Sequence, residues 1–189
     1  MNEQIVWNYL YGKLNNPYGT AALMGNLFAE SSLNPINSTG AKKFGLTNQE
    51  YTDIVDAHKN DSFITDGVAY GLAQWCYHTR KQGLLNLAKT RGKSVGDIYM
   101  QLDYLWMELQ RYTTVLKMLF NGTNIREISD IVMLKYEKPA NKSEAMKERR
   151  ARYGQKYYDM FMKDAYVRAA VNKNAIRNLY EELDRALRK

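Results

Sequence analysis

Residues 24–35 read Met24-Gly25-Asn26-Leu27-Phe28-Ala29-Glu30-Ser31-Ser32-Leu33-Asn34-Pro35. Leu23 and Leu27 share one face of a helix expected from about Gly19 to Leu33, and a projection of about 100° per residue sets Glu30 on that same i, i+4, i+7 stripe. A carboxylate therefore stands where a leucine is expected. Desolvation favours the neutral form of a carboxyl, and the carbonyl dipole of a helix's last turn is unfavourable to an anion. Both effects suit a general acid that hands a proton to a leaving oxygen, such as a glycosidic one. The ordinary alternative is a buried Glu paired with a Lys, an Arg or a backbone donor.

Outward from this stretch the chain reads as helix after helix. Ile5, Val6, Tyr9 and Leu10 recur at helical spacing over 2–14, and Asn16-Pro17 has the form of an entry into the helix that Asn34-Pro35 ends. Thr47 and Glu50 have capping-box spacing and open a helix to about Lys59. Residues 60–77 read as a loop that can hold a short hairpin. Helices are then expected over 79–91, with Leu84, Leu85 and Ala88 inward, and over 94–110, opened by Ser94 and Asp97. A short helix over 112–120 stops at Asn121-Gly122, and one from Asn124 through Leu134 stops before Pro139. Ser143 starts a long basic helix whose Tyr153, Tyr157 and Phe161 dock it on the core. Asn174 is a candidate cap for a last stripe of Ile176, Leu179, Leu183 and Leu187. The fold class is mainly α: one domain over 1–164, followed by an amphipathic helix or linker over 165–189.

A chain of 189 residues with 45% hydrophobic and 25% charged side chains has the composition of one folded domain, which excludes disordered and fibrous classes. No run approaches the ~18 to 20 apolar residues of a membrane span. Met1-Asn2-Glu3-Gln4 lacks a signal peptide's basic and apolar regions, so neither membrane insertion nor Sec export is expected of this chain. The single Cys76 excludes an internal disulfide and reads as a small, semi-buried residue. His58 and His78 are too few for a zinc site, and no metal or cofactor is expected. The net charge of +7 comes from one end: residues 1–134 hold 12 basic and 12 acidic side chains, residues 135–189 hold 15 and 8. Arg149, Arg150 and Arg152 there suit an anionic partner. They form no nucleic-acid-binding motif, and no nucleic-acid partner is expected.

The segment 24–35 resembles the Glu-Ser segment of goose-type lysozymes and soluble lytic transglycosylases, and Tyr70-Gly71-Leu72-Ala73-Gln74-Trp75 resembles the Gly-Leu-x-Gln turn of the same cleft. With residues 66–82, the Gly96-Asp97 to Gln101-Leu102 segment, Tyr136-Glu137-Lys138-Pro139 and residues 149–158, the chain is similar to the phage tail-type lysozyme family over roughly 4–160. The resemblance implies a lysozyme-like helical domain acting on bacterial peptidoglycan, with Glu30 as the acid, Gln74 and Trp75 lining the cleft, and Tyr136 and Glu137 on its far wall. It implies a muramidase cutting the β-1,4 bond between N-acetylmuramic acid and N-acetylglucosamine, carried in a phage virion or released to the wall as an endolysin. The Ala-Tyr-Asn-Ala-Gly segment of lytic transglycosylases does not occur here. A transglycosylase forming a 1,6-anhydro product and a non-catalytic wall-binding virion module are the rival readings, and a further domain or virion partner fits either.

For the second catalytic group, Asp66 and Glu137 rank equally as candidates, with Glu50 behind them. A turn-capping Asp and a surface Glu are their ordinary roles. Pyranose rings stack on aromatic faces, which makes Tyr70, Trp75, Tyr77 and Tyr136 candidate substrate contacts, whereas Trp7 and Trp106 lie on apolar stripes and read as core. The basic C-terminal segment is the candidate contact for anionic wall polymer.

Overall fold

The computed structural model describes residues 2–57 and 62–187, with side chains to residue 163 and at 173, 174, 176, 177 and 179 of the last helix. Helix α2 (Pro17–Ser31) is the axis of the domain, and its residues 19 to 27 are all buried. A helix apolar on every side must be surrounded. Around α2 pack α8 (Glu144–Leu187), α7 (Ile125–Val132), α1 (Asn2–Leu14) and α6 (Thr113–Asn121). Leu23 and Leu27, both wholly buried, are each worth roughly 2 kcal/mol of burial.

Local chemistry fixes both ends of α2. At its start the Asn16 Oδ1 accepts from the Tyr18 N–H, while Asn16 Nδ2 donates to the Leu119 and Gly122 carbonyls, each at 2.9 Å, tying α2 to the end of α6. At its end Ser32 and Leu33 both take left-handed backbone, with φ of 55° and 57°, and turn the chain away one residue after Ser31. A mainly α lysozyme-like domain is what the sequence leads one to expect, and the described residues form eight α-helices with one small sheet.

That sheet pairs β1 (Ser38–Thr39) with β2 (Ala69–Tyr70), antiparallel, Ser38 opposite Tyr70. Its second strand lies inside the loop expected over 60–77; its first was not legible. Helix α3 (Asn48–Asp56) opens with the Thr47/Glu50 capping box, and His58 and Lys59 lie outside the described residues. Helix α4 is His78–Arg91. Helix α5 (Ile98–Leu109) starts later than expected, because Asp97 caps the Met100 N–H, while Ser94 belongs to the preceding turn.

One expectation for the C-terminal end is corrected. Helix α8 runs through Asn174 without a break, so Asn174 caps no new helix, and Ile176 and Leu179 are 57% and 70% exposed. The docking residues hold: Tyr157 is buried, Tyr153 meets Phe28 edge-on, and Phe161 stacks on Trp7. Trp7 is core, and Trp106 is half-buried against Phe120.

Candidate active site

Glu30 lies in the last turn of α2, its side chain 20% exposed at the end of the buried Leu23–Leu27 stripe. Its neighbour Ser31 is buried, and Ser31 Oγ donates to the Leu72 carbonyl at 2.9 Å. That bond joins the end of α2 to the Gly71-to-Gln74 turn. Gln101, fully buried on α5, supports the same turn. Its Oε1 accepts from the Leu72 N–H at 2.9 Å, and its Nε2 donates to the carbonyls of Pro35 and Val95. Gly71 has φ of 77°, and a Cβ there would sit 2.7 Å from Gln101 Oε1, so glycine is needed on both counts. Gln74, also left-handed, is held by Asn37, Gly71 and Thr39.

The apolar surroundings expected of Glu30 are corrected by a guanidinium. Arg150 Nη2 donates to Glu30 Oε1 at 2.5 Å, and the Arg150 side chain is almost completely buried. Arg150 Nη1 reaches the Asn26 Oδ1, and Asn26 is itself fixed through Ser129 on α7. Arg150 is thus an internal residue rather than one of three surface cations, while Arg149 and Arg152 are exposed. Helical phase on α8 separates them.

Glu137 reaches the site through irregular backbone. After α7 the chain winds into a π-helical turn, Met133–Glu137, closed by Lys138 in left-handed conformation. Such wide turns recur at functional sites. Glu137 is half-buried by area, yet its Oε1 is fully enclosed with no hydrogen-bond partner among the described residues. Burial first, and the nearby Glu30 charge second, push its carboxyl up to about 8 against the pull of Arg80 and Arg150.

Behind this pair stands Glu108, a residue that sequence reading missed because it looks like one more polar position on α5. Its carboxylate receives both nitrogens of an Arg80 fork at 2.8 Å, the Trp75 Nε1–H at 2.7 Å and the Tyr136 Oη–H at 2.7 Å. Burial works to raise its pKa, but these donors outweigh it and hold the carboxyl below the usual range.

The aromatic candidates divide. Tyr70, Trp75 and Tyr136 are buried and turn no open ring face to solvent; Trp75 and Tyr136 hold Glu108, with Arg80 over the Tyr136 ring, while Tyr70 packs against Tyr51 and Phe63. Tyr77 is 64% exposed beside His78, and Cys76 is exposed rather than semi-buried. Asp66 belongs to a different cluster. Its Oδ1 accepts from Lys81 Nζ at 2.6 Å and from the Val68 N–H, and its Oδ2 accepts from Tyr51 Oη. Burial lowers the pKa of Lys81, and Asp66 works against that shift. Glu50 is committed to its capping box.

An open recess of about 540 Å³ lies over Val55, Leu85 and Ala88, and neither Glu30 nor Glu137 lines it. Asp56, Lys89, Lys93 and Ser94 also line it, and it holds none of the candidate catalytic groups. The candidate carboxyl Glu30 lies instead at the end of α2.

A buried helix that presents a carboxylate at its end, braced by a short hairpin turn, is the architecture of a lysozyme-like domain. The chain belongs to the phage tail lysozyme family, whose match covers residues 1–161. Curated proteins give no significant match. Membership points to a peptidoglycan-lytic, phage-associated protein that acts on the wall. Among the described residues no helix is long and apolar enough to cross a membrane.

Proposed function

We propose that this protein is a muramidase that cleaves the β-1,4 bond between N-acetylmuramic acid and N-acetylglucosamine, with Glu30 as the group that protonates the glycosidic oxygen. The observation that carries this reading is Glu30 itself: a partly exposed carboxyl at the end of the buried central helix, within electrostatic reach of Glu137, whose enclosed Oε1 has no hydrogen-bond partner among the described residues. As the C–O bond breaks through an oxocarbenium-like transition state, water attacks the anomeric carbon. Asp66 has both oxygens engaged by Lys81, Val68 and Tyr51, so Glu137 is the better second carboxyl. Gln74 and the exposed Tyr77 remain candidate sugar contacts, and the exposed Arg149 and Arg152 suit anionic wall polymer. Delivery in a virion or release to the wall would bring it to its substrate.

The test is digestion of purified peptidoglycan by the wild type and by Glu30→Gln, with mass spectrometry of the released fragments. Glu30-dependent fragments with a reducing N-acetylmuramic acid end are expected. Ends lighter by one water would replace the muramidase with a transglycosylase. No cut glycan bond across several wall types would leave only a wall-binding role.

A further inference from the structure

Another recess, of about 450 Å³, lies between the start of α6 and the π-helical turn that ends in Glu137. Its size suits a small ligand. Val115, buried, and Leu134 and Tyr112, half-buried, give it an apolar lining, and three exposed cations, Arg111, Lys135 and Lys138, complete its character. No Asp or Glu lines it, and among the described residues none of the three cations is ion-paired. Like charges around one concavity repel one another, and an anion seated among them relieves that repulsion. Lys138 Nζ stands 5.7 Å over the Tyr112 ring, which meets the Tyr136 ring edge-on at 5.3 Å. Because the Tyr136 hydroxyl donates to Glu108, the recess shares a wall with the scaffold of the candidate site.

We propose that this recess binds the carboxylate-bearing stem peptide of the glycan strand and makes the protein favour peptide-substituted over bare glycan. The inference deepens the muramidase reading and rests on it for its substrate. In peptidoglycan the N-acetylmuramic acid carries a short peptide on its lactyl group. Glu137 and Lys138 are neighbours in the chain, so a strand lying at Glu137 brings that peptide to the mouth of the recess. Guanidinium and ammonium groups donate charge-assisted hydrogen bonds to its carboxylates, and the apolar lining receives its alanine methyls. A phosphodiester polymer would use the cations alone and leave Leu134 and the Tyr112 ring without a counterpart. The mixed lining therefore favours the peptide.

The experiment has two arms, both on the full chain. In the first, walls stripped of teichoic polymer are cleaved with their peptides in place and after an amidase has removed them. Wild type should prefer the peptide-bearing strand about tenfold in kcat/KM, and Arg111→Gln with Lys135→Gln should bring the two substrates near parity, through the loss of two charged hydrogen bonds. Both replaced side chains are exposed, so the melting temperature should hold, while Lys138 is kept because its left-handed backbone closes the turn. In the second arm, N-acetylmuramoyl-L-alanyl-D-glutamate is titrated into the protein by NMR, once as the free acid and once with its carboxyls amidated. Amidation, or the double variant, should weaken binding by about tenfold. The inference is overturned if the amidated compound binds as well as the acid, or if wild type and variant show the same substrate preference. It is overturned too if the variant's defect appears only on walls that keep their teichoic polymer, which would assign the recess to phosphate. Binding of the free acid at the recess without any glycan cleavage would sink the muramidase reading and leave the peptide site; cleavage indifferent to the peptide would sink the site and leave the muramidase.

Discussion

Gly25 on α2 and Gly154 on α8 meet backbone to backbone: a Cβ on Gly25 would lie 2.4 Å from the Gly154 nitrogen and 2.5 Å from the Arg150 carbonyl. This contact sets how near α8 comes to α2, and hence whether Arg150 reaches Glu30 one turn further along. Gly25→Ala should therefore lose about 1–3 kcal/mol through overpacking and lower activity beyond what the lost stability explains. Gly154→Ala, whose Cβ would first meet the Ile125 side chain at 2.9 Å, should cost less. Urea unfolding and turnover, measured on both, check the order.

Arg150→Met removes the partner of Glu30 and Asn26 while keeping side-chain length. A mostly buried carboxylate and a buried amide oxygen lose their donor, and a cost of roughly 2–4 kcal/mol is expected. Arg150→Lys should recover part of the stability but less of the activity, because an ammonium cannot serve Glu30 and Asn26 with a planar fork. Thermal melts alongside digestion assays separate the two effects.

Glu108→Gln should destabilise the fold by about 3 kcal/mol at neutral pH, leaving Arg80 without its charged partner. The native carboxyl is held below its ordinary range, so its contribution is complete above the unfolded value of ~4.3 and is lost as pH falls through the native one. Wild type and variant should therefore converge in stability under acid, as read from melting temperature against pH. Convergence at alkaline pH instead would contradict the assignment.

Asp66→Asn tests whether the second carboxyl could lie in the Lys81 cluster. A loss of about 3–5 kcal/mol is expected for breaking a buried ion pair. Activity per folded molecule, measured well below the melting point, should be retained. A folded but inactive Asp66→Asn would return Asp66 to the catalytic candidates.

Arg149→Ser with Arg152→Ser should weaken binding to purified wall at low salt, with the difference vanishing as salt screens exposed charges. Both side chains are exposed, so the melting temperature should hardly move. Pull-down on walls across a salt series gives the readout.

The sequence by itself determined the helices, their caps and the residue that stands out on the central one. Helical spacing, Asn16-Pro17, the Thr47/Glu50 box and Asn124 are local signals, and local signals need only local chain to act. Glu30 was visible for the same reason, as a carboxylate breaking an apolar period. Partners 28 to 120 residues away were not visible. Glu108 with Trp75, Arg80 and Tyr136, and Arg150 with Glu30, are brought together only by packing. Burial also reassigned Tyr70, Trp75 and Tyr136, since an aromatic ring carries no mark of whether its face meets sugar or protein. The left-handed turns at Ser32, Leu33, Gln74 and Lys138 carry no glycine to announce them. The protonation of a carboxyl depends on the charges and enclosure around it, and those are set by which helices meet, a quantity that tertiary structure alone decides.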